Sequence, residues 1–187
     1  PVTLLRRVKT IRFEGRAYGG RFEGSAGFLS GAPADKPSEG QIRLKNIDLS
    51  RAGSGGISLL RGMSGQARGT VFYAGNDPAA GGTVGKLSLY ISRGAYPLPE
   101  PFLGVSRIDF DRGEIQAQLK DGAVSLTRFE MHGAQVSCTL SGIILPADRV
   151  EDSRLNLKGV MELAGRNKIK MNVTVGGTLA SPSFRYI

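Results

Sequence analysis

The chain carries one histidine and one cysteine, His132 and Cys138, close together in "FEMHGAQVSCTL". A thiol beside an imidazole can work as nucleophile and base, provided the two side chains converge. The pattern here argues against convergence. Val136, Cys138 and Leu140 alternate, which places the cysteine in the apolar row of a strand. A free thiol in such a row behaves as a small hydrophobe with a raised pKa. His132 belongs to a His-Gly turn ahead of that strand and is expected at the surface. With a turn and a phase change between them, the two are expected to be wall and turn, so no catalytic pair is assigned.

Other site chemistry fails on spacing. "GGTVGKLS" has the look of a phosphate-binding loop, but that motif needs Gly at position 80, where Ala80 stands, and Ser or Thr after Lys86, where Leu87 stands. Asp109 and Asp111 in "DFDRGE" could begin a calcium loop, yet Lys120 occupies the place of the bidentate Glu. A hairpin turn at Asp111-Arg112-Gly113 accounts for these carboxylates better. One Cys and one His cannot supply a four-ligand structural zinc site. "NVT" at 172–174 fits a glycosylation acceptor in form, but lies inside a strand-like run. No cofactor and no metal is expected, and the chain is expected not to be an enzyme.

The elements that would position any site follow a period of two. "KLSLYIS" sets Leu87, Leu89 and Ile91 against Ser88, Tyr90 and Ser92; "EIQAQLK" and "KIKMNVTV" repeat the alternation. This is the pattern of antiparallel strands with one face buried. Strands are expected over 8–18, 21–29, 41–49, 65–74, 83–93, 105–111, 114–120, 123–131, 135–145, 153–163, 168–176 and 183–187. Asp121-Gly122 is a strong hairpin signal, because a type I′ turn needs positive φ; Asp111-Arg112-Gly113 and His132-Gly133 mark two more. "SGGISLLRGM" is the one helical candidate, with Ser54 as its cap. Residues 30–40 and the proline-rich "YPLPEP" (96–101) are expected to be loops, since proline is barred from central strands.

Composition sets the outer limits. The 187 residues suit one domain, 1–187, with 27 Gly that favour many turns. A net charge of +9 suits anionic partners without deciding among them. Arg6, Arg7, Lys9, Arg12, Arg16 and Arg21 crowd the first strands and are expected on a solvated outer face. Nucleic acid is an unfavoured partner, because no aromatic stacking pattern accompanies the charge. No apolar run approaches the ~20 residues of a spanning helix. The opening Pro1 is expected to mark a fragment lacking an N-terminal membrane anchor.

The second half has a further cadence. "LKDGAVSLTRFEMHGAQVSCTLSGIILP", "SRLNLKGVMEL" and the closing "VTVGGTLASPSFRY" resemble the end of AsmA-like proteins and of type II secretion system protein N. The matching positions are Asp121-Gly122, Ser141 to Pro146, Ser153-Leu155-Leu157, and Gly177-Thr178-Leu179 with Pro182. "IDLSRAGSGGISLLRGMSGQARGTVFYAG" resembles the family's strand, short helix and Ser-Gly strand, so the similarity spans residues 41–187 in outline. The resemblance implies an all-β fold: a long, strongly curved antiparallel sheet or roll with one short helix. It implies a periplasmic location with an inner-membrane anchor in the full-length protein. It also implies a non-enzymatic role in the secretion system through contacts with other secretion proteins, or alternatively a lipid-binding or lipid-transport module. The inner-membrane surface or lipid is the non-protein partner expected.

A sheet with one apolar face must cover it, by closing on itself, with a partner or with lipid. Leu87, Leu89, Ile91, Ile108, Phe110, Ile115, Leu119, Ile169, Met171 and Val173, with Val136 and Leu140, are expected to share that face as a groove or core. A mostly filled core with a groove at one open end is the expected form.

Overall fold

Tyr18 and Gly19, with φ of 51° and 76°, turn the chain sharply between β1 (Val8–Ala17) and β2 (Gly20–Leu29). Asp121 and Gly122, at 51° and 73°, do the same between β6 (Val105–Lys120) and β7 (Ala123–His132). Positive φ at both central residues gives the type I′ turn whose twist matches that of the flanking strands. The remaining strands are β3 (Glu39–Asp48), β4 (Ser64–Ala74), β5 (Val84–Phe102), β8 (Val136–Leu145), β9 (Arg154–Leu163), β10 (Ile169–Gly177) and β11 (Pro182–Tyr186). They form one antiparallel sheet in the order β1 to β11, so each strand pairs only with its neighbours in the chain. The sheet is not closed, and strand makes up 78% of the described residues. The computed structural model describes residues 8–29, 39–55, 60–75, 83–102, 105–164 and 169–186; most of the expected 30–40 loop lies outside them.

One short helix, α1 (Leu49–Ser54), follows β3 directly. Asp48 caps it: its Oδ1 accepts from the backbone N–H of Ser50 at 2.9 Å and of Arg51 at 3.3 Å. The Asp48 N–H donates to the Tyr18 carbonyl at 2.9 Å, tying the helix start to the first hairpin turn. Ser54 is thus the last residue of the helix and not its cap, and residues 56–59 of the expected helix lie outside the described residues. No helix among the described residues is long and apolar enough to cross a membrane.

Two expectations are corrected by β5 and β6. The chain runs straight through Asp111-Arg112-Gly113 as one strand, in unbroken register with β5 from Val84↔Lys120 to Pro97↔Arg107. The expected loop at 96–101 belongs to β5. Its prolines are tolerated because β4 stops pairing at Ala95. Beyond that point β5 is a local edge, where a missing N–H breaks no ladder.

The apolar face can be followed across every strand by register. Phe13↔Gly24, Gly24↔Ile42, Ile42↔Val71 and Val71↔Leu87 carry it from β1 to β5. Leu87↔Ala117, Ala117↔Leu126, Leu126↔Gly142, Gly142↔Leu157 and Leu157↔Val175 carry it to β10. Strict alternation breaks at local irregularities. Register shifts between Leu44 and Ile47, and between Leu126 and Phe129, keep residues three apart on the same side. An extra residue in one strand of a pair produces such a phase change and bends the strand; Asn46 takes it up with φ 53°.

Candidate functional site

Burial divides the apolar face in two. Val136, Leu140, Leu157, Met161, Val173 and Val175 are all buried, Val173 to 1% exposure, and belong to one continuous core with Ile91, Ile108 and Phe110. Across β1 to β5 the cover is uneven: Ile47, Ala67 and Ile91 are buried in that core, and residues nearer the β1 edge are not. Ile11 is 47% exposed and Ile42 36%, while Phe13, Phe22, Val71, Leu87 and Leu89 are half-buried. The result is a packed side that opens into a half-exposed apolar surface towards β1.

The structure places the expected face residues as follows. Leu89 lies opposite Ile115, and Leu119 opposite Gly85; all three side chains are half-buried. Met171 lies opposite Met161, and Val173 opposite Gly159. Ile169 shares the face through Leu163 but is 51% exposed, because it stands at the start of β10. Ile108 and Phe110 reach the core by a different route. In one regular strand they would oppose Ile115, yet buried positions change parity on both strands at one point. These are Ile91 then Gly94 on β5, and Phe110 then Gly113 on β6. Arg93 adopts φ 49° at the break. The Phe110 ring lies over Gly94 and approaches the side-chain position of Gly113 to 3.5 Å.

Glycine contributes to this face in a way that period-two reading missed. Gly15, Gly24, Gly69 and Gly159 stand opposite Phe22, Phe13, Leu89 and Leu140. A side chain at Gly15 would come within 2.6 Å of the Phe22 ring, and one at Gly24 within 2.6 Å of Phe13. The large residues thus lean over neighbours that have no side chain. Alternation of large apolar residues with glycine across the strands was the available signal.

The opposite face is polar and carries ion pairs. Glu23 receives Arg43 at 3.2 Å and Lys45 at 3.0 Å, and the Lys45 hydrogen bond is the main influence holding its carboxyl below the ordinary range. Glu114 accepts from Gln116 at 2.6 Å and lies 3.5 Å from Arg128. Arg12, Arg16 and Arg21 are exposed on this side, as expected of a solvated face; Arg6 and Arg7 lie outside the described residues. The Arg68 guanidinium sits 5.7 Å from the centre of the Tyr90 ring.

His132 and Cys138 are not brought together. His132 pairs with Ser137 on the polar face, and Cys138 with Met131 on the apolar face. The imidazole Nε2 is 3.6 Å from Glu130, while burial pushes the Cys138 thiol up to about 11. Among the described residues no three of His, Cys, Asp and Glu cluster as metal ligands. No family model, curated protein or solved structure matches the chain.

Proposed function

We propose that this chain is a non-enzymatic binding module whose half-open apolar face, across β1 to β5, receives acyl chains of lipids. One observation carries the reading: an apolar lane crosses an unclosed sheet and, towards β1, residues such as Ile11 and Ile42 leave it only partly covered. Ligand sites are concave, mostly apolar and largely preformed. The strand irregularities support a strongly curved sheet, since each bends its strand, and curvature would make the lane a groove. The likeness to AsmA-like proteins supports a periplasmic setting with an inner-membrane anchor in the full-length protein. Exposed cations on the other face would meet anionic headgroups through a potential that fades within ~8 Å at physiological salt.

The test is titration of the purified chain with cis-parinaric acid, which fluoresces when its acyl chain leaves water. Saturable enhancement in the wild type, lost in Ile42→Asp and Val71→Asp, is expected. Enhancement unaffected by both substitutions would refute the reading.

A second reading is assembly of the type II secretion system through protein contacts. Phe72 (37% exposed) and Tyr90 (43% exposed) project from the polar face, Tyr90 beside Arg68, and aromatic residues with arginine are enriched in protein interfaces. Phe72→Ala with Tyr90→Ala should then reduce co-purification of secretion proteins from the periplasm. Parinaric acid binding should be unchanged.

A further inference from the structure

The first strand ends the sheet, and among the described residues β1 has no partner on its outer side. Open edges are commonly blunted by proline, bulges, short length or charged side chains. The edge at β11 uses two of these: it has five residues and begins at Pro182. The β1 edge has charge alone. It pairs with β2 over all ten residues, Val8↔Leu29 to Ala17↔Gly20, with no register shift, and contains no proline. It does carry charge, in the order Arg12, Glu14, Arg16 on the polar face, with Ile11 and Phe13 on the apolar face.

Those charges have unusual standing. Arg12 and Glu14 are exposed and make no ion pair among the described residues. Glu14 lies directly opposite Glu23, whose own cations are Arg43 and Lys45. Like charges facing each other across strands are destabilising, so Glu14 stands in an unfavourable position within one copy.

We infer that β1 pairs antiparallel with β1 of a second copy about a two-fold axis at Phe13. An axis normal to the sheet keeps both apolar faces on one side and requires facing residues of equal parity. With Phe13 at the axis, Arg12 faces Glu14 of the partner twice over, and Ile11 faces Gly15. Shifting the axis to Arg12 sets Arg12 against itself. Shifting it to Glu14 sets Glu14 against itself and Arg12 against Arg16. Centring on Gly15 keeps a Glu14–Arg16 pair but shortens the paired segment. Phe13 is thus the centre that combines opposite charges with the longest overlap. Such a dimer joins the two sheets and makes their apolar lanes continuous, whatever fills them.

Sedimentation velocity of the purified chain over a range of concentrations tests this. A dimer that weakens with added salt is expected. Glu14→Arg should weaken it by about tenfold or more, since two facing Arg–Arg contacts replace two opposite-charge ones. Arg12→Glu combined with Glu14→Arg restores complementarity and should restore the dimer. In a Cys138→Ala background, Phe13→Cys should cross-link to itself under mild oxidation, whereas Ile11→Cys should not. A wild type that stays monomeric, a Glu14→Arg dimer as strong as wild type, or a charge swap that rescues nothing would each overturn the proposal. The cross-linking contrast decides the register if a charge variant loses its circular dichroism, and cross-linking at Ile11 in place of Phe13 would also overturn it.

Discussion

Phe110 lies across the backbone of Gly94, its register partner on the neighbouring strand. A methyl group at position 94 would overlap the ring and come within 2.7 Å of the Ser64 carbonyl. Gly94→Ala should therefore destabilise the fold by about 1–3 kcal/mol, the usual cost of overfilling a packed site. Urea unfolding would measure it. In a Phe110→Ala background the added penalty should shrink, because the two changes share one contact. A penalty unchanged by removing the ring would assign the cost elsewhere.

The two halves of the apolar face should answer differently to a buried charge. Leu140→Asp and Val173→Asp place a carboxylate in the sealed part and should cost at least about 3 kcal/mol or prevent folding. Ile42→Asp, on the open part, should stay within about 1 kcal/mol of wild type. Thermal melts of the three variants check the division. Equal losses would mean that the face is sealed throughout.

Cys138 should be inert and pH-linked. With its pKa pushed up to about 11 by burial, the native thiol should resist iodoacetamide at neutral pH and react fully only in denaturant. In the unfolded chain the thiol ionises near 9. The raised folded value therefore gives stability that is complete below pH 9 and lost as pH rises through 11, by about 2–3 kcal/mol in all. Denaturation of wild type and Cys138→Ala at pH 8 and pH 10.5 isolates this share. The wild type should lose its advantage at the higher pH.

Asp48 governs α1. Replacing it with Ala removes both cap hydrogen bonds and should cost about 0.5–2 kcal/mol, whereas Asn, an equally good cap, should cost little. Urea midpoints of the two variants distinguish the cap from the Asp48–Arg51 ion pair at 3.6 Å. A loss as large with Asn as with Ala would credit the ion pair.

Much of this architecture was legible because one face of each strand is buried, so alternation survives in residues such as Leu87, Leu89 and Ile91. The Asp121-Gly122 turn was equally plain, since its residue types match the conformation they adopt. The failures share a cause: the decisive partner is distant in sequence. Asp111-Arg112-Gly113 reads as a turn locally, but pairing with β5 on one side, and with β7 from Arg112 onwards, holds it extended. Pro97 reads as a strand breaker until β4 is seen to end beside Ala95. The helix begins earlier than its apolar residues suggest, because "LSRAGS" shows little apolar periodicity and its main signal is the single cap at Asp48. The unequal covering of Ile42 and Val173 depends on what lies above the sheet, which a period of two does not encode.

Because spatial order equals chain order, each connection joins neighbouring strands. A hairpin can be inserted at any turn, or deleted, without threading the chain and without moving the register on either side. Insertion of a single strand has a different effect. Every later turn then changes ends, carrying whatever packs at one end of the sheet to the other. The width of this sheet is thus free to drift over generations in steps of two strands, and the apolar lane lengthens or shortens with it. Relatives built on this plan should differ by whole hairpins more readily than by single strands.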